Sequence, residues 1–356
     1  MSNVELKNEL DIRILTDKHE ILKYLQIGIS IPVLSEHHRY ISETFRIFNP
    51  IGILLEKKIK KKNRIINHAV GLCVVFKEND ILFFGFFGIY NDEEEEIEIL
   101  LDYLIEYATE NNYRLIRGPI NIPAIIFGYG FSVEHELYKE FKIETKFIAY
   151  PRSPLIYHQI FLKKGFYNKF SEDYYYMPLF KLDPLKLKYD YTNYEVLFPG
   201  REKIWDFADD IIKLHEKNMP KESLITPKSS QYIKVVISFI FDCGKPWMFW
   251  LLKHKPTNKI AGTVHIVPNV FGEKDSKGRY KTASLQHGVI DKKYQRKGLM
   301  LYLYGMGSLK AKDRKSGNNI KYGIGTVASE NKSSIAWVTN LGGKIYGRNV
   351  ILEYKL

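Results

Sequence analysis

The sequence predicts an α/β protein made of two successive halves, and three observations carry this. The chain has 356 residues, and at roughly 150 residues per domain that length suggests two. Hydrophobic residues make up 45% and charged residues 26%, the balance of a folded chain with a full core rather than of a disordered, collagen-like or disulfide-rich one. Apolar segments of period two alternate with segments of helical period twice along the chain. Both series close on a helix, a glycine and a strand, in the strings Tyr157 to Phe166 and Ser334 to Gly343, which read as a weak internal repeat.

In the first half, Leu10 to Leu15 alternates as a strand, and Thr16 to Leu25 reads as a helix with Thr16 or Asp17 as its N-cap. Ile51 to Glu56 and Ile65 to Phe76 read as strands. The basic run between them, Lys57 to Arg64, reads as a solvated hairpin tip, because no aromatic residue interleaves its lysines as a nucleic-acid patch requires. Ile81 to Tyr90 is a central strand. Asn91 and Asp92 are expected to cap the next helix, with Glu93 to Glu96 in its first turn, where carboxylates suit the helix dipole. Leu100, Leu101, Leu104, Ile105 and Ala108 give that helix its apolar face. Tyr113 to Arg117 is a strand closed by Gly118-Pro119, an irregular glycine-rich segment passes Tyr129 to Phe131, and Lys146 to Tyr150 reads as a further strand. A helix from Pro154 to Lys164 stops at Gly165.

The polar, aromatic segment Lys181 to Tyr194 reads as the connection, so that 1–180 and 195–356 are the expected domains. In the second, Glu202 to Lys217 and Ser229 to Phe241 read as helices, and Trp247 to Lys255 and Lys259 to Val267 as a hairpin across Pro256-Thr257-Asn258. A strand from Thr282 to Ile290, a helix from Leu299 to about Lys315, a strand from Ile320 to Val327, a helix from Lys332 to Leu341 and a strand from Lys344 to Tyr354 complete it.

The net charge is +12. Such an excess suits nucleic acid, an anionic membrane or a phosphorylated cofactor, and equally a basic protein with none of these partners. Cys73 and Cys243 both lie in apolar stretches and no CxxC exists, so the expectation is two buried thiols in a reducing cytoplasm. The N-terminus shows no secretory signal pattern, and the longest strongly apolar stretch, Ile81 to Tyr90, is far shorter than the roughly 18 residues a span needs. No histidines or carboxylates have metal-ligand spacing, so no metal is expected.

The sharpest local signal is Asp291-Lys292-Lys293-Tyr294-Gln295-Arg296-Lys297-Gly298-Leu299-Met300, set between a strand and an apolar helix. Gly298 permits a tight turn and close approach of a ligand to the backbone. The turn opens onto a helix N-terminus with unpaired N–H groups and partial positive charge, and Arg296 and Lys297 add formal charge. A pyrophosphate suits this loop. Neither GxxxxGK[ST] nor GxGxxG is present, so it is neither a Walker loop nor a Rossmann fingerprint.

This segment resembles the acetyl-CoA loop of the GCN5-related N-acetyltransferase (GNAT) superfamily, Q/R-x-x-G-x-G/A after the fourth strand. Here Gln295 and Gly298 match, and Met300 replaces the last small residue, which narrows the space beside the pyrophosphate. The family's downstream N-x-x-A-x-x-x-Y-x-x-x-G-F is matched by Asn331, Ser334, Val338 and Gly342, with Val338 in place of the tyrosine. The resemblance covers about 195–356. The first half is similar to partner domains of tandem GNAT-like proteins, through Phe83 to Gly88, Arg117 to Asn121 and Tyr157 to Phe166. What the resemblance implies is two tandem GNAT-like domains, each a mixed, mostly antiparallel central sheet flanked by helices. Main-chain groups of Gly288, Val289 and Ile290 would pair with the pantetheine arm, amides of Arg296, Lys297, Gly298, Leu299 and Met300 beside Gln295 would hold the pyrophosphate, and Asn331 would lie near the pantetheine or thiol. Where the first half would need such a loop it carries Asn91 to Glu96, whose carboxylates repel a pyrophosphate, so that half is expected not to bind CoA.

By the same resemblance the base would stand on the fourth strand at Ser284 or Gln286, with His287 adjacent, or at Thr326 on the fifth. His287 is the best single candidate. Strict alternation places it opposite Gln286, and a bulge reverses that. Tyr302, Tyr304 and Tyr322 read as packing residues rather than acids, as do Phe249 and Trp250. His265 is a further strand histidine near the expected cleft. The expected function is acyl transfer from acetyl-CoA, or another acyl-CoA, to a small-molecule or peptide amine. Two alternatives stay open: transfer from aminoacyl-tRNA, which the charge suits and the CoA loop does not, and a non-catalytic acyl-CoA-binding protein, which Val338 suits.

Overall fold

A computed structural model describes residues 10–61, 64–134, 146–178, 189–200, 202–218, 230–243, 248–312 and 319–356. The chain forms two compact units that are not consecutive in sequence. The first gathers its described residues from Met1–Glu134, Tyr150–Phe170 and Asn349–Leu356, and the second from His135–Ala149 and Ser171–Arg348.

In the first unit the order is β1 (Leu10–Leu15), α1 (Lys18–Tyr24), α2 (His38–Phe48), β2 (Ile51–Lys61), β3 (Arg64–Glu78), β4 (Ile81–Ile89), α3 (Glu94–Glu110), β5 (Leu115–Gly118), α4 (Ala124–Phe127), β6 (Phe131–Glu134) and α5 (Leu155–Lys163). Asp17 caps α1, its carboxylate accepting the His19 amide at 2.8 Å. β1 to β4 are antiparallel neighbours, and β4 and β5 run parallel. The period-two runs set the sheet and the helical run of α3 covers it. Leu100, Leu101, Leu104 and Ala108 are fully buried against Ile53, Val75, Phe84 and Ile116. Phe161 from α5 closes the core, with ring centroids 4.9 Å from Phe87 and from Phe131 and 4.8 Å from Phe166.

β7 (Tyr167–Pro178) enters the second unit at Ser171. There follow β8 (Tyr194–Leu197), α6 (Ala208–Asn218), α7 (Ser230–Cys243), β9 (Phe249–His254), β10 (Lys259–Pro268), β11 (Thr282–Ile290), α8 (Leu299–Lys312), β12 (Tyr322–Ala328), α9 (Lys332–Asn340) and β13 (Lys344–Lys355). β8 to β11 are antiparallel neighbours, β11 and β12 are parallel, and β12 is antiparallel to β7. Trp250 is fully buried under α8, where a Cβ on Gly307 would stand 2.1 Å from its ring. Each unit is thus a mixed, mostly antiparallel sheet with flanking helices.

Several expectations need correction. Asp92 does not cap α3: it adopts φ +55°, and its carboxylate accepts the Tyr157 hydroxyl. The strand expected at Lys146 to Tyr150 is a turn between single bridges, since Ala149 takes φ +67°, outside the extended region. The basic run does lie in a hairpin, and only its extent differs, because β2 and β3 stay paired out to Lys61↔Arg64. Helix α6 begins only at Ala208, after a 3-10 turn over Lys203–Phe207. Most of the expected connection, Trp247 and the expected end of α8 near Lys315 lie outside the described residues. So does the Cys243 side chain, whereas Cys73 is a fully buried free thiol pushed above its ordinary pKa by that burial.

The end of β13 belongs to the first unit, pairing with β5 from Leu352↔Gly118 to Lys355↔Leu115. Arg117 and Glu353 face each other there, both buried, with Arg117 Nε donating to Glu353 at 2.9 Å and the Tyr167 hydroxyl donating to the same carboxylate. Burial pushes the Glu353 carboxyl up, but Tyr167 and Arg117 outweigh it and hold it below the ordinary value. The stability it adds is therefore present above the ordinary glutamate pKa and lost as pH falls through the lower folded value. Glu353→Ala, which leaves a buried guanidinium uncompensated, is expected to lower stability by about 3 kcal/mol in denaturant titrations at neutral pH. The gap between wild type and variant should narrow in acid.

Candidate active site

The site is built around the parting of two parallel strands. β11 and β12 pair only from Thr282↔Tyr322 to Ser284↔Ile324, although both strands continue. Against β10, Gln286 stands opposite His265 and Val289 opposite Thr263, so His287 and Gly288 together oppose Val264. This is a β-bulge, which breaks alternation and re-aims the residues around it. It falls on His287, the expected base. The side chain of His287 lies outside the described residues.

The first unit repeats the arrangement. β4 and β5 pair from Ile81↔Leu115 to Phe83↔Arg117, and Phe86 and Phe87 then bulge opposite Cys73. There the gap is closed by the chain itself. The Ile120 amide donates to Phe84 O at 2.7 Å, and the Phe86 amide donates to Asn121 Oδ1 at 2.6 Å. A Cβ on Gly118 would stand 2.3 Å from Phe84 O, whereas at Gly325, the matching glycine of the second unit, it would stand 3.7 Å from Leu285 O. Counted from the parallel register, Ala328 takes the place of Asn121 and has no side-chain amide to cross the gap. β12 is also held straight by pairing with β7 as far as Ala328↔Glu172.

Beyond β11 the chain turns sharply. The Asp291 carboxylate accepts the Lys293 amide at 3.0 Å and the Lys217 ammonium at 3.2 Å. Burial pushes its pKa up, but these partners outweigh that and hold it below the ordinary value. Gln295 Nε2 donates back to Ile290 O at 2.9 Å, so this side chain braces the loop. Arg296 and Gly298 adopt φ +64° and +66°, and Gln295, Arg296 and Lys297 are exposed. Leu299 is buried and anchors the start of α8. Among the hydrogen bonds of the described residues, none is donated by the amides of Arg296, Lys297, Gly298, Leu299 or Met300. Those amides, the helix dipole and two cations concentrate positive charge at this turn.

Gly298 O accepts the Tyr302 amide at 3.1 Å and the Tyr191 hydroxyl at 3.3 Å, and Tyr191 stacks on Tyr302 at 4.2 Å. The Tyr189 ring lies against the turn, 2.6 Å from where a Cβ on Gly298 would stand. Sequence reasoning missed Tyr189 and Tyr191, which come from the expected connection, more than a hundred residues upstream of the loop. Met300 does not crowd the turn but reaches back, its Cε 3.6 Å from where a Cβ on Gly288 would stand.

The remaining candidates divide. Gln286 is buried opposite His265, whose ring lies 4.0 Å from Phe249 and 5.5 Å from His215. His215, absent from the sequence reading, comes from α6, and its Nε2 is 3.2 Å from Thr263 Oγ1. Ser284 is fully buried and its hydroxyl donates to Ile148 O at 2.9 Å, so that proton is committed to the fold. Val289 and Ile290 are buried strand residues. Asn331 Oδ1 caps α9 by accepting the Ser334 amide at 3.1 Å, Val338 is buried core, and Thr326 pairs with Tyr174. Among the described residues no cluster of ligating side chains could hold a metal ion.

No protein-family model matches the chain, and no curated protein does. Solved structures do. A tandem GNAT protein from the clavulanic acid biosynthesis pathway is similar over 98% of this chain and 98% of its own, with a TM-score of 0.59 and 11% identity. A conserved protein of unknown function from Enterococcus faecalis V583 gives a TM-score of 0.56 and 8% identity over 98% of this chain and 73% of its own. A GCN5-related N-acetyltransferase from Sphaerobacter thermophilus gives 0.51 and 8% over 97% of this chain and 95% of its own. The chain therefore has the tandem GNAT fold.

Gly298 is constrained in both conformation and space. An alanine there would hold a left-handed conformation and meet the Tyr189 ring. Gly298→Ala is expected to lower stability by about 1–3 kcal/mol in denaturant titrations, with Gly288→Ala as the control, since its Cβ would find only ordinary contacts.

Proposed function

We propose that the second unit binds an acyl-CoA, acetyl-CoA first among them, and transfers the acyl group to the amine of a small molecule or peptide. The observation that carries this reading is the contrast between the two gaps: Asn121 and Ile120 stitch the one in the first unit, and among the described residues Ala328 on a straight β12 leaves no such stitch in the second. In this proposal 195–356 is the cofactor-binding domain and 1–180 its non-binding partner. The tandem GNAT fold supports the reaction class.

Amides of Arg296 to Met300 hold the diphosphate, with Gln295 bracing the loop, and Arg296 and Lys297 add charge at its rim. Main-chain groups of Gly288, Val289 and Ile290, from the bulge onward, face the pantetheine arm. Met300 lies beside Gly288 and narrows that path rather than the diphosphate turn. Asn331, at the start of α9, lies near the thiol end. Acyl-CoA supplies an activated thioester carbonyl. The protein's part is to orient an amine toward that carbonyl and accept its proton, and His287 at the bulge is the proposed base, with Gln286 beside it. Val338 offers no proton, so orientation supplies most of the rate. A cytoplasmic setting suits the reduced, buried Cys73.

Titration calorimetry tests the proposal. Wild type is expected to bind acetyl-CoA or a longer acyl-CoA at one site per chain. Gly298→Asp, which puts a carboxylate against the diphosphate, should weaken binding more than tenfold by charge repulsion. Equal affinity in both proteins, or two sites per chain, would remove the assignment.

A further inference from the structure

We propose that His215 and His265 are positioning residues of the second unit: with Gln286 they form a buried polar wall that stabilises the proton which acyl transfer leaves at the β11 bulge. The proposal rests on the acyl-transfer reading and deepens it. Thr263 and His265 stand two apart on β10 and so share a face of the sheet, and Gln286, paired with His265, shares it too. The pairs His265↔Gln286 and Thr263↔Val289 flank the bulge. From α6, His215 sets its Nε2 3.2 Å from Thr263 Oγ1 and its ring 5.5 Å from that of His265. All four side chains are buried. Counted on from Ser284↔Ile324, Thr326 stands across the gap from Gln286.

The first unit shows that the fold itself does not ask for this wall. There Val74 pairs with Gly85 where His265 pairs with Gln286, and Leu72 pairs with Gly88 where Thr263 pairs with Val289. Counted on from Phe83↔Arg117, Pro119 stands where Thr326 does. Two buried aliphatic side chains, a glycine and a proline thus serve the same bulge beside the gap that Asn121 closes. Burying imidazoles and an amide costs free energy that aliphatic side chains do not, and such departures collect where a site needs them. Acyl transfer supplies the need. The amine's N–C bond forms as the C–S bond breaks, the thiolate leaves with CoA, and the amine's proton passes to the base at the bulge. That base becomes a cation against a packed sheet, where fixed dipoles act strongly. Neutral imidazoles and the side-chain amide of Gln286 are such dipoles. Helices α6 and α7 and strands β9 and β11 pack against the pair or its strand. Among their described residues the carboxylates and ammonium groups of α6 and α7 are exposed, Tyr232 of α7 is buried, and Lys253 and His254 end β9 beyond Leu252. Among those residues, then, no carboxylate is buried beside the histidines to supply the stabilisation instead.

The test copies the first unit into the second. His265→Val matches Val74, and His215→Gln keeps an amide within reach of Thr263. Each full-length variant is unfolded in denaturant, titrated with acetyl-CoA by calorimetry, and assayed for thiol release from acetyl-CoA with tyramine, glucosamine and a lysine-containing peptide as probe amines across roughly pH 5.5 to 9. His265→Val should unfold at an equal or higher denaturant midpoint and bind acetyl-CoA within about threefold of wild type, yet release thiol at least about tenfold more slowly. With fewer dipoles beside it the base holds its proton less well, so the acid limb of the rate profile should move down by about half a pH unit or more. His215→Gln should show a smaller loss of rate and a shift of the same sign. An unmoved acid limb or an unchanged rate would overturn the proposal. So would a His265→Val chain that loses stability and acetyl-CoA binding together, the mark of a purely structural role, or a wild type that binds acetyl-CoA and transfers to none of the probe amines. A wild type that binds no acetyl-CoA would remove the acyl-CoA reading itself, and this proposal with it.

Discussion

Two parallel strands that stop sharing hydrogen bonds after three residue pairs impose the constraint on which the rest of the structure depends. Backbone groups beyond that point need partners, because a buried N–H or C=O without one is costly. The two units meet the requirement differently. In the first, Ile120 and Asn121 fold into the gap and serve Phe84 and Phe86. In the second, β12 is held out by β7, and the chain supplies no counterpart of Asn121 at Ala328. One architecture thus yields a gap that Ile120 and Asn121 close in the first unit and, among the described residues, a gap without that closure in the second, and the difference rests on a few side chains rather than on topology.

Much of this was legible in sequence because it is local. Apolar runs of strand length marked β1, β4, β10 and β11 nearly to the residue, and Gly298 with the apolar run after it marked the turn and the start of α8. What escaped depends on partners remote along the chain. Asp92 looks like a cap until Tyr157 arrives with its hydroxyl. Lys146 to Tyr150 has strand composition, yet Ala149 turns the chain back. Ser284 carries the right chemistry for a site but is occupied by Ile148, and His215 has no sequence signal linking it to Thr263. The bulge at His287 was a named alternative to strict alternation, and only the pairing with β10 decides between them.

The loop that α8 opens from is braced as well as open. Gln295 ties it to the end of β11, Asp291 ties it to α6 through Lys217, and Tyr191 fastens the Gly298 carbonyl. Every one of these contacts uses a side chain or a carbonyl, so among the described residues the loop is fixed in shape without spending the amides from Arg296 to Met300. Preorganisation of this kind lowers the ordering cost that a ligand would otherwise have to meet.

Leu352 to Lys355 complete the sheet of the first unit, since β5 receives them as a neighbour and Arg117 receives Glu353, 236 positions downstream, as its counter-ion. The whole second unit lies between these partners in sequence. Until those residues emerge from the ribosome the amino-terminal half carries an unfinished sheet edge and a lone guanidinium. Strictly vectorial folding, one half after the other, is closed to it.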